Sequence, residues 1–258
     1  MLENTKIKVS IVTPSFNQGQ FIEKTIQSVL DQTYDHIEYI IIDGGSTDET
    51  LSIVEKYKDR IDIVISEKDK GQSDAINKGF RLATGTLVGW INSDDILYPH
   101  CVEELVNAYT KNPDGAVYFC PKLDIIDESG NLLETHNRPI TDRNYLLKQN
   151  YSVNQPTSFY SNAILQKINY LDETIHYCMD LDLWVRLLEH GPIYPLSQVP
   201  QGAIRRWEGT KTSTQAYVFL REIKKTLKKY QVKPYDKSLL CANYIQLKIF
   251  LINAFSWK

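Results

Sequence analysis

Two adjacent carboxylates, Asp94 and Asp95, close the stretch GWINSDD (Gly89–Asp95), where a strand-like apolar run stops and another resumes at Ile96. Like charges side by side repel, and taking them out of water is costly unless something positive lies near. Such a pair either caps the following helix from a solvated turn or holds a cation. Another acid, Asp43, ends the apolar run EYIIID and is followed by Gly44 and Gly45, which suits a ligand or an Asx turn. The segment MDLDLWVRLLEH (Met179–His190) carries two acids at helical spacing. Asp180 shares a face with Leu183, Trp184, Leu187 and Leu188, whereas Asp182 shares the other with Arg186, an i,i+4 partner for a solvent ion pair. A carboxylate on the apolar side of a helix start is either an N-cap or a functional group with a raised pKa.

Alternating strand and helix signals surround these acids. KVSIVTP reads as a strand stopped by Pro14, and FIEKTIQSVLDQ as a helix with Phe21, Ile22, Thr25, Ile26, Val29 and Leu30 on one face. EYIIID has the near-continuous apolar character of a strand buried on both sides. Ser46–Glu49 fits a capping box for the helix ETLSIVEKYK. IDIVIS and TLVGWIN supply two more strands, with SDAINKGFRLA and PHCVEELVNAYTK as helices. The alternation predicts an α/β fold with a mostly parallel central sheet and helices on both faces. Ligands bind such sheets beyond the carboxyl ends of the strands. Those ends carry Thr13–Pro14–Ser15, Asp43–Ser46 and Asn92–Ser93–Asp94–Asp95, so three polar clusters are expected at one edge.

Beyond about residue 115 the pattern loosens. GAVYFCPKLDIIDESGNLLETH alternates like a hairpin turning at Ser129–Asn131, and NYSVNQPTSFYSNAILQKI mixes an irregular aromatic segment with a short helix. IRRWEGTKTSTQ reads as a polar, mobile, turn-rich segment, and the lysine run after it as a solvated helix face. With 258 residues the chain fits one large domain with an appendage: residues 1–212, divided near 115, and a C-terminal helical extension over 213–258. A net charge of -3 gives no electrostatic case for nucleic-acid binding. Cys101, Cys120, Cys178 and Cys241 form no C-x-x-C pair and read as reduced thiols of a cytoplasmic protein. No signal peptide or membrane span is evident. The tail NYIQLKIFLINAFSWK reads as a packing or amphipathic helix with scope for a peripheral membrane contact.

Taken in order, VSIVTPSFNQGQFIEKTIQSVLDQTY, EYIIIDGGSTDET, DKGQSDAINKGFRLATG and GWINSDD resemble the family 2 glycosyltransferases of the GT-A fold, from about Lys8 to Tyr109. The resemblance resumes at MDLDLWVRL and RRWEGTKTS. It implies inverting transfer of a hexose or N-acetylhexosamine from a nucleotide diphosphate sugar, assisted by Mn²⁺ or Mg²⁺. On an extended strand Asp94 and Asp95 point opposite ways, so Asp95 is expected on the metal and Asp94 toward ribose or sugar, with Asn92 and Ser93 beside them. Asn92 stands where many members carry another aspartate. Asp43 corresponds to the residue that binds the nucleotide base, and Gly44 to a position that is often a second aspartate. Thr13, Pro14 and Ser15 are expected beneath the base and ribose. Lys70 is either a phosphate-side or a surface lysine, and Asp74 faces the nucleotide or favours its helix start through the dipole.

An inverting displacement also needs a base on the acceptor side. The resemblance assigns that role to Asp180, with Met179 where a glutamate commonly precedes it. Arg206 and Lys211 lie in a stretch that resembles the family's flexible segment near the pyrophosphate, and either clamp phosphate or belong to a basic surface loop, with Trp207 at a position often held by histidine. The resemblance points to a UDP-sugar donor and a glycan or lipid-linked acceptor. The expected setting is O-antigen or capsule synthesis in the cytoplasm, at the inner face of the membrane. Two other readings are weighed. A nucleotidyltransferase calls for a long Gly-rich basic loop, whereas TPSFNQGQF has one glycine and no cation before Lys24. A degenerate nucleotide-sugar-binding subunit is consistent with Asn92, Met179 and Trp207, but Asp43, Asp95 and Asp180 are all present.

Overall fold

The structure, a computed structural model, describes residues 6–210 and 215–255. At its centre lies β1 (Val9–Ser15), paired in parallel with β2 (Ile37–Asp43) on one side and β4 (Leu87–Trp90) on the other. β3 (Ile63–Ser66) extends the parallel array beyond β2. Every residue of β1 is buried, because alternate side chains enter two separate cores. Val9 and Ile11 pack with Ile22, Ile26 and Val29 of α1 (Gly19–Leu30) and Val102 and Leu105 of α4 (Cys101–Lys111). Val12 faces Ala75, Ile76 and Phe80 of α3 (Gln72–Leu82). There a Cβ at Gly79 would stand 2.3 Å from Val12 Cγ1, so only glycine lets this helix lie so close to the strand. Pro14 is tolerated in a central strand because the β4 ladder has ended at Val12 by then.

The second half completes the sheet in an order the sequence does not display. β9 (Ser158–Ser161) runs antiparallel between β4 and β6 (Val117–Phe119), and β10 (Ile193–Pro195) flanks β6 in parallel. The order is β10-β6-β9-β4-β1-β2-β3, so β9 is the one antiparallel strand. The expected hairpin forms as β7 (Lys122–Ile126) and β8 (Leu132–Asn137), with Gly130 at φ 94° in its turn. It belongs to a smaller sheet, β5-β11-β7-β8, with β5 at Ile96–Leu97 and β11 at Gly202–Arg205. The segment read as turn-rich and mobile therefore begins inside a strand, three of whose residues, Gly202, Ala203 and Arg205, are buried.

Four local expectations are corrected. The capping box at Ser46–Glu49 does not form. The short α2 (Thr50–Glu55) starts after Glu49 without a side-chain cap, and Asp48 instead bonds Gly19 N and Thr50 N. Pro99 precedes α4 rather than lying in its first turn. The stretch Asn92–Asp95 is not extended: it turns, with Asp95 N donating to Asn92 O at 3.1 Å. Asp182 is not on a solvent face. It is fully buried under the C-terminal helices, where Arg186, Lys229 and Tyr230 all donate to its carboxylate.

Those helices, α8 (Ala216–Lys229) and α9 (Lys237–Phe255), share a core with α5 (Arg143–Lys148), α6 (Asn162–Lys167) and α7 (Met179–Leu187). Ile223, Leu227, Leu239 and Ala242 join Leu183 and Trp184 there. Among the described residues no helix is long and apolar enough to cross a membrane.

Candidate active site

The carboxyl ends of β1, β2 and β4 lie on the same edge because the three strands are parallel, with Ser15 opposite Asp43 in register. Thr13 points into the interior, where its hydroxyl meets Tyr39 Oη at 3.1 Å. Pro14 is buried as well. Ser15 lies at the strand's end, and its buried hydroxyl has no hydrogen-bond partner. Asp43 is fully buried and saturated with local donors. Gly45 N, Ser46 N and Ser66 Oγ donate to Oδ2 at 3.0, 2.9 and 2.7 Å, and Ser46 Oγ donates to Oδ1. Gly45, at φ 85°, lets the loop fold back over the carboxylate. The Asx-turn reading of Asp43 is thus realised, with Oδ1 left the more available oxygen.

The acidic turn is the electrostatic centre of this edge. Asp95 is 3% exposed, and its two oxygens accept from Arg205 N at 3.0 Å and Asn92 Nδ2 at 3.1 Å. Asp94 Oδ2 accepts from Trp207 Nε1 at 2.9 Å. Burial, reinforced by the charge of Asp94, pushes the Asp95 carboxyl well above the usual carboxylate range. Burial raises Asp94 too, against the hydrogen bond from Trp207 and the nearby Arg205 charge. The one buried guanidinium here, Arg205, is turned onto backbone oxygens of Asp94, Asp127 and Glu128 at 3.0–3.1 Å rather than onto a carboxylate. It also lies 5.0 Å over the Phe21 ring, against which Trp207 packs edge-on. Among the described residues, the buried Asp95 and the part-buried Asp94 therefore feel the nearby Arg205 charge, but no side-chain cation is hydrogen-bonded to either carboxylate.

Asn92 accepts from Gln72 Nε2 at 2.8 Å and donates to Gln155 Oε1 at 3.2 Å, linking β4 to the first turn of α3 and to the second half. Ser93 is buried beside it. Asp74, expected toward the nucleotide, serves its own helix start: it accepts from Lys70 N at 3.0 Å and pairs with Lys78 at 3.4 Å. Burial opposes its charge, but that hydrogen bond and the Lys78 and Lys70 cations hold its carboxyl below the usual range. The Lys70 side chain is exposed. Arg206 is exposed on the outer side of β11 and pairs with Glu134 at 2.6 Å, away from the acidic turn. Lys211 lies outside the described residues.

Asp180 enters from the first turn of α7. Cys178, not Asp180, is the N-cap, and the single described donor to the Asp180 carboxylate is Leu181 N at 2.8 Å. Burial pushes this carboxyl up to about 6, partly offset by that hydrogen bond and by the charge of Arg138. Ser73 Oγ donates to Ile175 O at 3.1 Å, which ties the start of α3 to the approach to α7. Arg205, Gln155 and Arg138 carry no distinguishing motif. Arg205 is separable from Arg206 only by the alternation of a strand, which a strand reading of Gly202–Arg205 supplies.

Among the described residues no three His, Cys, Asp or Glu side chains cluster as a metal cage. The donor set does fit a divalent cation held largely by water and phosphate, which requires a single protein carboxylate. The adjacent pair Asp94–Asp95 is where a cation would relieve the repulsion.

This architecture is GT-A. It superposes on the Staphylococcus aureus TarS fragment 1–349 in complex with UDP-GlcNAc at a TM-score of 0.70, with 19% identity, over 98% of this chain and 74% of that one. It superposes on the Pyrobaculum calidifontis mannosyltransferase PcManGT, in complex with GDP-Man and Mn²⁺, at 0.65, with 15% identity, over 93% and 70% of the two chains. At such identities the likeness establishes the fold. Residues 10–179 match the model of glycosyl transferase family 2, and the chain belongs to that family. Among its relatives is the chondroitin synthase of Escherichia coli, 29% identical over 252 residues, which cover 93% of this chain and 36% of the synthase. The matches span 60% and 36% of the lengths of two such curated relatives.

Proposed function

We propose that this chain is an inverting glycosyltransferase that moves a sugar from a UDP-sugar to a hydroxyl of a glycan or lipid-linked acceptor. The observation that carries this reading is the acid placement: an adjacent pair at the strand edge with no side-chain cation among the described residues hydrogen-bonded to it, and Asp180, raised to about 6, at a helix start tied to that edge. The family supports it, as do fold neighbours solved with a UDP-sugar and a GDP-sugar. The β2 end, with Asp43 and the free Ser15 hydroxyl, would receive the base and ribose. Asp95, with Asp94 beside it, would hold Mn²⁺ or Mg²⁺, which when bound neutralises charge on the diphosphate leaving group. Asp180 would take the proton from the attacking hydroxyl, since a carboxyl of pKa about 6 is ionised at neutral pH yet more basic than a solvated one. The family match ends at residue 179, so this role rests on geometry and tuning.

A polysaccharide acceptor of the O-antigen or capsule kind, met at the inner face of the cell membrane, is consistent with kinship to a chondroitin synthase. The test is release of UDP from UDP-GlcNAc and other UDP-sugars with Mn²⁺, for wild type and Asp180→Asn. A loss on the order of 10²–10⁴ in rate is expected, with UDP affinity unchanged. Equal rates would remove Asp180 from the chemistry.

A further inference from the structure

Helix α7 begins without a cap of its own: Cys178 holds the N-cap position and its side chain makes no capping bond. Its approach is held instead by a carboxylate from α8. Glu222 accepts from three consecutive backbone N–H groups, His176 at 3.0 Å, Tyr177 at 2.5 Å and Cys178 at 3.1 Å. Among the described residues no cation pairs with Glu222, so its charge is spent on backbone donors. The same face of α8 continues the grip. Thr226 Oγ1 lies 3.3 Å from Cys178 Sγ, and Lys229 and Tyr230 reach Asp182 at 2.9 and 2.6 Å. Positions 222, 226, 229 and 230 form one helical stripe, while Leu220, Ile223 and Leu227 are buried. This stripe brackets Asp180 in sequence, with Glu222 two residues before it and the Asp182 cluster two after.

We propose that Glu222 is a positioning residue for Asp180, fixing where α7 starts and so where the Asp180 carboxylate points. The functional meaning rests on the reading of Asp180 as base; the physical claim does not. The Asp180 carboxylate has one described side-chain hydrogen bond, from the next residue in its own helix, and beyond it the charge of Arg138, so it depends on the helix start for its position. With Glu222 gone, three N–H groups at the helix entrance lose their acceptor, and the turn carrying Asp180 opens to water.

The experiment is a ¹³C-carboxyl NMR titration of aspartate-labelled full-length protein, with the Asp180 signal assigned by its absence in Asp180→Asn. The groups facing Asp180 are Arg138, Tyr160 and Cys178, and the variants leave them unchanged. Wild type is expected to titrate at about 6. Glu222→Gln keeps one acceptor oxygen and sets an amide NH2 where the other was, so at least one of the three N–H groups loses its acceptor and a smaller fall than in Glu222→Ala is expected. Glu222→Ala is expected to fall to about 4, the solvated range. Glu222→Asp keeps the charge but withdraws the acceptor by one methylene, and it too is expected to fall; it serves if the alanine variant does not fold. An unchanged midpoint in folded Glu222→Ala or Glu222→Asp overturns the proposal. Because the titration needs no substrate, inactivity in a transfer assay would count against the function and leave this result standing.

Discussion

Asp180 is the residue whose behaviour is most sharply determined by its surroundings. Its pKa, raised in the fold to about 6, means the folded protein holds the proton more tightly than the unfolded chain does. Below about pH 4 both states are protonated and the residue is neutral in its effect on stability. Above about 6 the ionised form is disfavoured in the fold, so stability is lost as pH rises through that value. Asp180→Asn is therefore expected to match wild type in acid and to exceed it by about 1–2 kcal/mol at pH 8, as read from denaturant midpoints. In the opposite sense, wild-type kcat/KM is expected to climb with pH and level off above about 6, because a base must be ionised. A flat pH profile would separate the pKa from the chemistry. The residue types at this position and in the acidic pair are legible in the sequence. The fate of Asp43 is less so, since an acid before two glycines serves equally for an Asx turn and for a ligand. Asp74 likewise closes its own helix, because a first-turn acid finds a backbone N–H nearer than any ligand.

At the scale of elements, the six strands and helices from β1 to α3 follow from period and punctuation, because each is local and its apolar residues follow a plain pattern. β9 does not, for Ser158–Ser161 is four residues long and its pairing with β4 and β6 is set by distant chain. β11 is hidden because an arginine occupies an inward position where an apolar residue is expected. Its alternation now divides the two arginines: Arg205 supports the acidic turn, and Arg206 pairs with Glu134 at the surface. Arg205→Ala should leave three backbone oxygens short of a donor. It is expected to cost about 1–3 kcal/mol in stability and at least about tenfold in UDP affinity. Arg206→Ala should change stability by no more than about 0.5 kcal/mol and affinity by less than about threefold. Equal losses of UDP affinity in both variants would mean the strand places them otherwise.

For the whole molecule, the parallel half sets the edge that carries Asp43 and the acidic turn, the second half supplies Gln155 and Arg138, and the C-terminal helices hold the turn that carries Asp180. The burial of Asp182 illustrates why this organisation is hard to read from the chain. The i,i+4 pairing with Arg186 is visible in the sequence, but the cover provided by Lys229 and Tyr230 comes from a helix more than forty residues away. The acidic turn at this edge is expected to bind a nucleotide diphosphate together with a divalent cation. Calorimetric titration of UDP into the full chain tests it, with Mn²⁺ or with chelator, in wild type and in the isosteric Asp95→Asn. UDP binding that requires Mn²⁺ and weakens at least about tenfold in folded Asp95→Asn is the expected result. Failure of UDP to bind with Mn²⁺, or binding indifferent to both chelator and the substitution, would contradict the account.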